Sequence, residues 1–265
     1  MELKKLLQRI DEYKKLMDSR RPLAPQELQE LDNYYRVGLT YTSNALEGNT
    51  LTLSETKVVL EDGITIGGKP LRDHYEAVGH AKAYDFMLKM ARSETLLFSE
   101  EIILGLHNLF FRGMDADSAG KYREHQVLIT GTDYVPPPAR ELTTLMQAFV
   151  VELNEKAQTM HPVLFAAFAH RKLVDIHPFV DGNGRTARLL MNLILVNRGY
   201  QIVSIPPILR REYIEALQVA QRGKTPSDDL FFKLIAQCEI ESQKDYCRMF
   251  GIEVPKRTRN PEPER

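Results

Sequence analysis

The stretch His177-Pro178-Phe179-Val180-Asp181-Gly182-Asn183-Gly184-Arg185-Thr186-Ala187-Arg188 decides how the rest of the chain is read. It places a titratable base, a carboxylate, a glycine-rich turn and two guanidinium groups within twelve positions. Proline disfavours the helical backbone region for the residue before it, so the apolar helical pattern over 164–176 is predicted to end at His177. The imidazole is then left in a loop, and its ordinary pKa of about 6.5 suits it to take a proton near neutrality. Phe179 is apolar and is expected to pin that loop to the core. Asp181 offers the hard oxygen ligands that Mg²⁺ (or Mn²⁺) uses, with phosphates and water completing the shell. Gly182-Asn183-Gly184 allows positive φ and close backbone approach, so that successive N–H groups converge on an anion. The apolar run over 188–196 reads as a buried helix starting near Gly184, whose N-terminal dipole adds to the same site. Arg185 and Arg188, three apart, share a helical face. Each feature alone is commonplace: a helix stop, a surface turn, a solvated pair. Their conjunction points to a site for a polyphosphate, a metal and a general base.

One competing motif fails. Gly182-x-Gly184-x-x-Ala187 matches a dinucleotide-binding fingerprint, which needs a preceding strand and an acidic residue about twenty positions later. Here a helical pattern precedes it and Val203-Ser204-Ile205-Pro206-Pro207 follows.

The stretch resembles the signature of the Fic (filamentation induced by cAMP) family, HPFx[D/E]GNGRxxR, with every defined position filled. The resemblance implies a mainly α fold, a helical bundle with a small β-hairpin flap. It also implies transfer of AMP from ATP to a Ser, Thr or Tyr hydroxyl of a target protein, releasing pyrophosphate. By that resemblance His177 is the base and Asp181 holds the metal. Gly182, Asn183 and Gly184 bind the phosphates with Arg185, and Arg188 holds the γ-phosphate.

Upstream, Ser43-x-x-x-Glu47-Gly48 ends a helical pattern and is similar to the family's inhibitory motif [S/T]xxxE[G/N]. The resemblance implies that Glu47 pairs with Arg188 and occupies the guanidinium that ATP needs. A guanidinium fork takes a carboxylate bidentately, so the pairing is chemically reasonable. Between the two motifs, residues 126–135 read as the one hairpin: β-branched residues flank a turn with Gly131 and Asp133, and Pro136-Pro137-Pro138 ends it. In the family such a hairpin is the flap, and Ile129, Thr130, Gly131 and Tyr134 would dock the target. Main-chain pairing is nearly blind to sequence, so the target cannot be named. Gly120-Lys121-Tyr122-Arg123 resembles a GxYR segment that precedes the flap; the residues leave the role of Arg123 open. Downstream, the analogy places Tyr213 and Gln221 at the adenine pocket.

The remaining chain is helical in pattern. Leu3, Leu6, Leu7, Ile10, Tyr13 and Met17 recur at helical spacing and predict an amphipathic helix over 2–18, and a second helix starts near Pro25. A short helix through Leu60 takes Ser54 as candidate cap. Further helices are predicted over 71–90, through Phe111, and over 141–154, 162–176, 210–222 and 229–250. The organisation expected is an N-terminal region at 1–70 with the inhibitory helix at about 42–48, a catalytic domain at 71–250 and a polar tail at 251–265.

Hydrophobic content of 43% supports a substantial core, and a net charge of −1 gives no global field for nucleic acid or membrane. Cys238 and Cys247 fit neither a metal pair nor a disulfide framework, and with no leader-like N-terminus they suggest a reduced, cytoplasmic chain. Self-modification and a homodimer remain open at this stage. So do another phosphate donor, AMP removal with Glu47 placing a water, and a permanently closed binding module.

Overall fold

The computed structural model describes residues 2–93, 95–221 and 227–254. Ten helices carry the fold among these residues: α1 (Leu3–Asp18), α2 (Pro25–Ala45), α3 (Leu53–Lys57), α4 (Leu71–Ala91), α5 (Glu100–Phe111), α6 (Leu142–Thr159), α7 (Pro162–Ile176), α8 (Asn183–Asn197), α9 (Arg210–Gln221) and α10 (Asp229–Met249). A π-helical turn, Val58–Asp62, extends α3. The mainly α expectation holds.

α8 is the axis of the bundle. Residues from Thr186 through Leu195 are buried all round, because α7 packs along one side and α4 and α5 cover others. A helix apolar on every face has to sit inside, and its neighbours supply the amphipathic shell. α1 buries Leu6, Ile10, Tyr13 and Met17, spaced for one face, and packs against α10. These N-terminal residues share a single continuous core with Phe165, Leu190 and Tyr246, so the region before residue 70 is built into the bundle.

Two predicted details are corrected. The cap of α3 is Thr52, not Ser54: the Thr52 hydroxyl accepts from the Glu55 amide at 3.2 Å and the Glu55 carboxylate takes the Thr52 amide at 2.7 Å. That reciprocal pair satisfies two free amides, which a lone Ser two residues later does not. The β-hairpin flap is not formed as a ladder, and no strand occurs among the described residues. Residues 126–135 run as an extended excursion with a turn at Thr130-Gly131. Pro136, Pro137 and Pro138 offer no N–H donors at the base of the segment, and Leu128 and Val135 stay exposed with nothing to pack on. The predicted polar tail and the end of the α9 pattern lie outside the described residues beyond Val254 and Gln221.

Candidate active site

The loop between α7 and α8 holds the site. α7 ends where Pro178 requires it to, and His177 takes a left-handed conformation with φ 50° and ψ 57°. Its amide still bonds the Leu173 carbonyl at 2.9 Å. The ring Nδ1 lies 3.3 Å from the Val174 carbonyl oxygen, which can only accept. Nδ1 therefore carries the proton, and the Nε2 lone pair is left for a substrate. Burial lowers the His177 pKa, with the Arg123 charge acting in the same direction; the Val174 contact opposes it.

Phe179 is fully buried and its ring lies 3.8 Å from that of His107, almost parallel. His107 bridges the loop to its surroundings: Nε2 meets the Asp181 carbonyl at 3.0 Å and Nδ1 accepts the Gly120 amide at 2.9 Å. Asn183 clasps Phe179 from the other side, giving Nδ2 to its carbonyl and accepting its amide, both at 2.9 Å. The Asn183 side chain is thus committed to the loop, and only its main chain is left for a ligand. Gly182 is required by geometry: φ is 79°, and an added Cβ would come within 2.9 Å of the Phe110 ring.

Asp181 accepts the Gly182 amide at 2.6 Å and Arg185 at 3.2 Å on Oδ1, and Arg72 at 2.7 Å on Oδ2. Burial works to raise its pKa, but Arg185, the Gly182 amide and Arg72 outweigh it and hold the carboxyl below its ordinary value. Arg185 is buried, forms an ion pair with Glu76 at 2.9 Å and lies over the Phe110 ring at 4.5 Å. Arg72 and Glu76 contact Asp181 and Arg185 but lie outside the motif; their spacing of four on α4 was the only sequence signal.

Arg188 is 1% exposed. Its Nε donates to the Ser43 hydroxyl at 2.9 Å, Nη2 to the Ser43 carbonyl at 2.9 Å and to Glu47 at 2.7 Å, and Nη1 to the Tyr213 hydroxyl at 3.0 Å. Glu47 lies just beyond the end of α2, directly over the first turn of α8: a Cβ added at Gly184 would meet its Oε1 at 2.5 Å. Burial would raise the Glu47 pKa, yet Arg188 and Arg185 outweigh that and the carboxyl stays ionised. Tyr213 is placed beneath Arg188, its hydroxyl shared with His170 Nε2 at 3.0 Å, and not on an open pocket wall. Gln221 bonds Asp175 at 2.9 Å near the end of α7.

The flap residues lie across the same end of α7. Tyr134 gives its hydroxyl proton to the Asp175 carbonyl at 2.9 Å, and the Gly131 carbonyl accepts from Gln218 of α9 at 2.8 Å. Ile129 is half-buried and Thr130 exposed. Arg123 is 3% exposed, with Nε on the His177 carbonyl at 2.9 Å, Nη1 on His125 at 2.9 Å and Nη2 on Pro137 at 2.6 Å.

A base with a free lone pair, a helix N-terminus, two arginines and one carboxylate therefore converge, with a second carboxylate across them. Comparison with known proteins identifies this arrangement. The Fic/DOC family model matches residues 97–195. The structure of Fic-1 from C. elegans superposes with a TM-score of 0.84 at 32% identity, over 94% of this chain and 73% of that one.

The chain belongs to the Fic/DOC family.

A Fic-domain signaling protein from Bacteroides thetaiotaomicron matches with a TM-score of 0.82 at 29% identity, over 93% of this chain and all of that one. Among curated relatives, the protein adenylyltransferase Fic of Drosophila mojavensis is 40% identical over 199 residues, and that of Drosophila virilis 41%. These matches cover 75% of this chain but 38% and 40% of the relatives, so the chain spans about two fifths of their length.

Among the described residues no group of three or more His, Cys, Asp or Glu side chains could hold a metal. A single half-exposed carboxylate still fits Mg²⁺, which prefers one or two carboxylates with phosphate oxygens and retained water. No helix of the described residues is long and apolar enough to cross a membrane.

Proposed function

We propose that this Fic protein transfers AMP from ATP to a Ser, Thr or Tyr hydroxyl of a protein, itself included, and that Glu47 restrains it. The observation carrying the chemistry is His177: its Nδ1 proton is turned to Val174, leaving Nε2 as an acceptor beside the N-terminus of α8. The first-turn amides of α8 have no partner within the helix and suit a phosphate. Arg185 and Arg188 supply the charge that polyphosphate needs. Nε2 takes the hydroxyl proton as that oxygen attacks the α-phosphorus. The bond from the α-phosphorus to the bridging oxygen breaks, and pyrophosphate leaves. Asp181 would hold Mg²⁺ or Mn²⁺, which neutralises phosphate charge when bound. Positioning and charge neutralisation carry the rate.

The restraint rests on the 2.7 Å contact between Glu47 and Arg188. Arg188 cannot serve a γ-phosphate fully while Ser43 and Glu47 hold three of its hydrogen bonds. In this reading residues 71–250 form the catalytic unit, and the region before them contributes the restraint. Gln221 and the flap residues Ile129, Thr130, Gly131 and Tyr134 are read as lining the approaches for adenine and target. Tyr213 is read instead as support for Arg188. The buried, unbridged Cys238 and Cys247 favour a reducing, cytoplasmic setting. Whether the chain forms a homodimer is read from its elution mass at two concentrations.

The test is Glu47→Gly protein with Mg²⁺ and a cell lysate, given α-labelled or γ-labelled ATP in parallel, with His177→Ala as blank. Label from the α-position alone is expected, on lysate proteins or on the protein itself. Label only from the γ-position would make it a kinase. No label from either would shift weight to another donor, to AMP removal or to a closed binding module.

A further inference from the structure

The geometry points to Arg123 as a positioning residue that joins the catalytic loop to the flap: one buried guanidinium holds the His177 backbone in its left-handed conformation and ties both stems of the 126–135 segment to it. The inference deepens the reading of His177 as base and rests on it.

Three observations carry it. First, His177 is the only non-glycine residue with positive φ among the described residues. Such a conformation is strained for a residue with a Cβ and persists only where its surroundings impose it. Its amide is held by Leu173 and its carbonyl by Arg123 Nε, while the Arg123 amide takes the next carbonyl, Pro178, at 2.9 Å. Both carbonyls at the start of the catalytic loop are therefore fixed from one residue.

Second, the flap has no ladder to set its own width. Pro136, Pro137 and Pro138 have no N–H to pair across. A side-chain donor replaces the missing rungs: Arg123 reaches His125 on one stem and Pro137 on the other. Gln126 adds one more link across the base, to the Pro136 carbonyl at 2.9 Å. A planar guanidinium with donors in a fixed fork can hold three separate carbonyls at set directions; a lysine ammonium cannot reproduce that fork.

Third, the phosphate end of the site is held by other contacts. Asn183 clasps Phe179, Glu76 holds Arg185, and Ser43 holds Arg188. Arg123 should therefore govern the base and the flap while leaving nucleotide binding alone. Its charge also reaches His177, adding to the burial that lowers the imidazole pKa.

The experiment compares Arg123→Met and Arg123→Lys in the Glu47→Gly background. Four quantities are read: calorimetric affinity for a non-hydrolysable ATP analogue; labelling rate from α-labelled ATP; the pH midpoint of His177 carbethoxylation by diethyl pyrocarbonate, from peptide masses; and amide exchange over 126–135. The Met variant is expected to keep the analogue affinity, lose on the order of 10²-fold in labelling rate, raise the His177 midpoint and speed flap exchange. The Lys variant is expected to restore the midpoint through its charge but neither the rate nor the flap. Unchanged rate, midpoint and flap exchange in the Met variant would overturn the inference. So would a loss of analogue affinity in step with the rate, which would make Arg123 a general structural support. If His177→Ala still labels, or Glu47→Gly never does, the transferase reading fails instead, and the midpoint and flap exchange still judge Arg123.

Discussion

His177 combines two local properties that set how its chemistry responds to pH. Its left-handed backbone turns the ring so that Nδ1 is blocked by Val174, and burial disfavours the imidazolium. A folded-state pKa below the ordinary value of about 6.5 means that the neutral, proton-accepting form survives further into acid than in a free histidine. The labelling rate of Glu47→Gly protein should therefore hold as pH falls from neutrality through that value, then drop at the depressed pKa. A rate that halves at the ordinary histidine value would show that this group does not limit transfer. The same shift opposes stability: charging His177 in acid works against the fold. Replacing His177 by Ala should cost about 10²–10⁴-fold in rate, with ATP-analogue affinity unchanged. A variant that keeps full transfer removes His177 from the role of base.

At the scale of elements, the proposed restraint rests on how the end of α2 meets α8. Ser43, in the last turn of α2, and Glu47, two residues past its end, both face Arg188, and Ser43 contributes two of the three bonds. Glu47→Gly should raise labelling by breaking a coupling of about 1–3 kcal/mol. Ser43→Ala should raise it less, because its carbonyl still accepts from Arg188. The order wild type, Ser43→Ala, Glu47→Gly in labelling rate checks this; a fall with Ser43→Ala would mean that Ser43 orients Arg188 for the substrate. The folded-state pKa of Glu47 is depressed, so its pairing is fully present above the ordinary carboxylate value of about 4.3 and is lost only below it. Mild acidification should leave the wild type restrained, so its affinity for a non-hydrolysable ATP analogue should stay below that of Glu47→Gly until pH falls to that value.

At the scale of the whole molecule, Glu239 exposes a cost of burying α10. Its carboxyl is fully buried, with Oε1 accepting the Gln201 amide at 3.0 Å and Oε2 without a hydrogen-bond partner. Burial pushes its pKa well above the ordinary value. Here the linkage runs the other way: the stability is present below the unfolded pKa of about 4.3 and is lost as pH rises toward the folded one. Glu239→Gln, a permanent mimic of the neutral acid, should raise Tm at neutral and alkaline pH, with the gain shrinking in acid. An equal gain at every pH would mean that Glu239 is not the titrating group.

Much of this protein was legible along the chain because its evidence is local. Pro178 stops α7, Gly182 permits the turn, and the 188–196 run has to be buried; each follows from covalent geometry or from spacing within one element. The pairing of Ser43 and Glu47 with Arg188 was expected only by resemblance, since 145 and 141 residues separate them from it. Beyond the local Asp181–Arg185 pair and the spacing of Arg72 and Glu76, the partners of Arg185, Asp181 and Arg123 were not legible. Glu76, Arg72 and His107 are ordinary helix residues until α4 and α5 pack on α8. The flap shows the opposite failure: β-branched residues around a turn suggest a ladder, but three prolines at its base offer no N–H to start one, and its apolar side chains Leu128 and Val135 have nothing to pack on. The sequence by itself determined the helices, the loop and the chemical groups the loop carries. Only the tertiary structure decided which groups face one another, because a hydrogen bond forms between neighbours in space, and the packing of α2, α4 and α5 around α8 makes those neighbours.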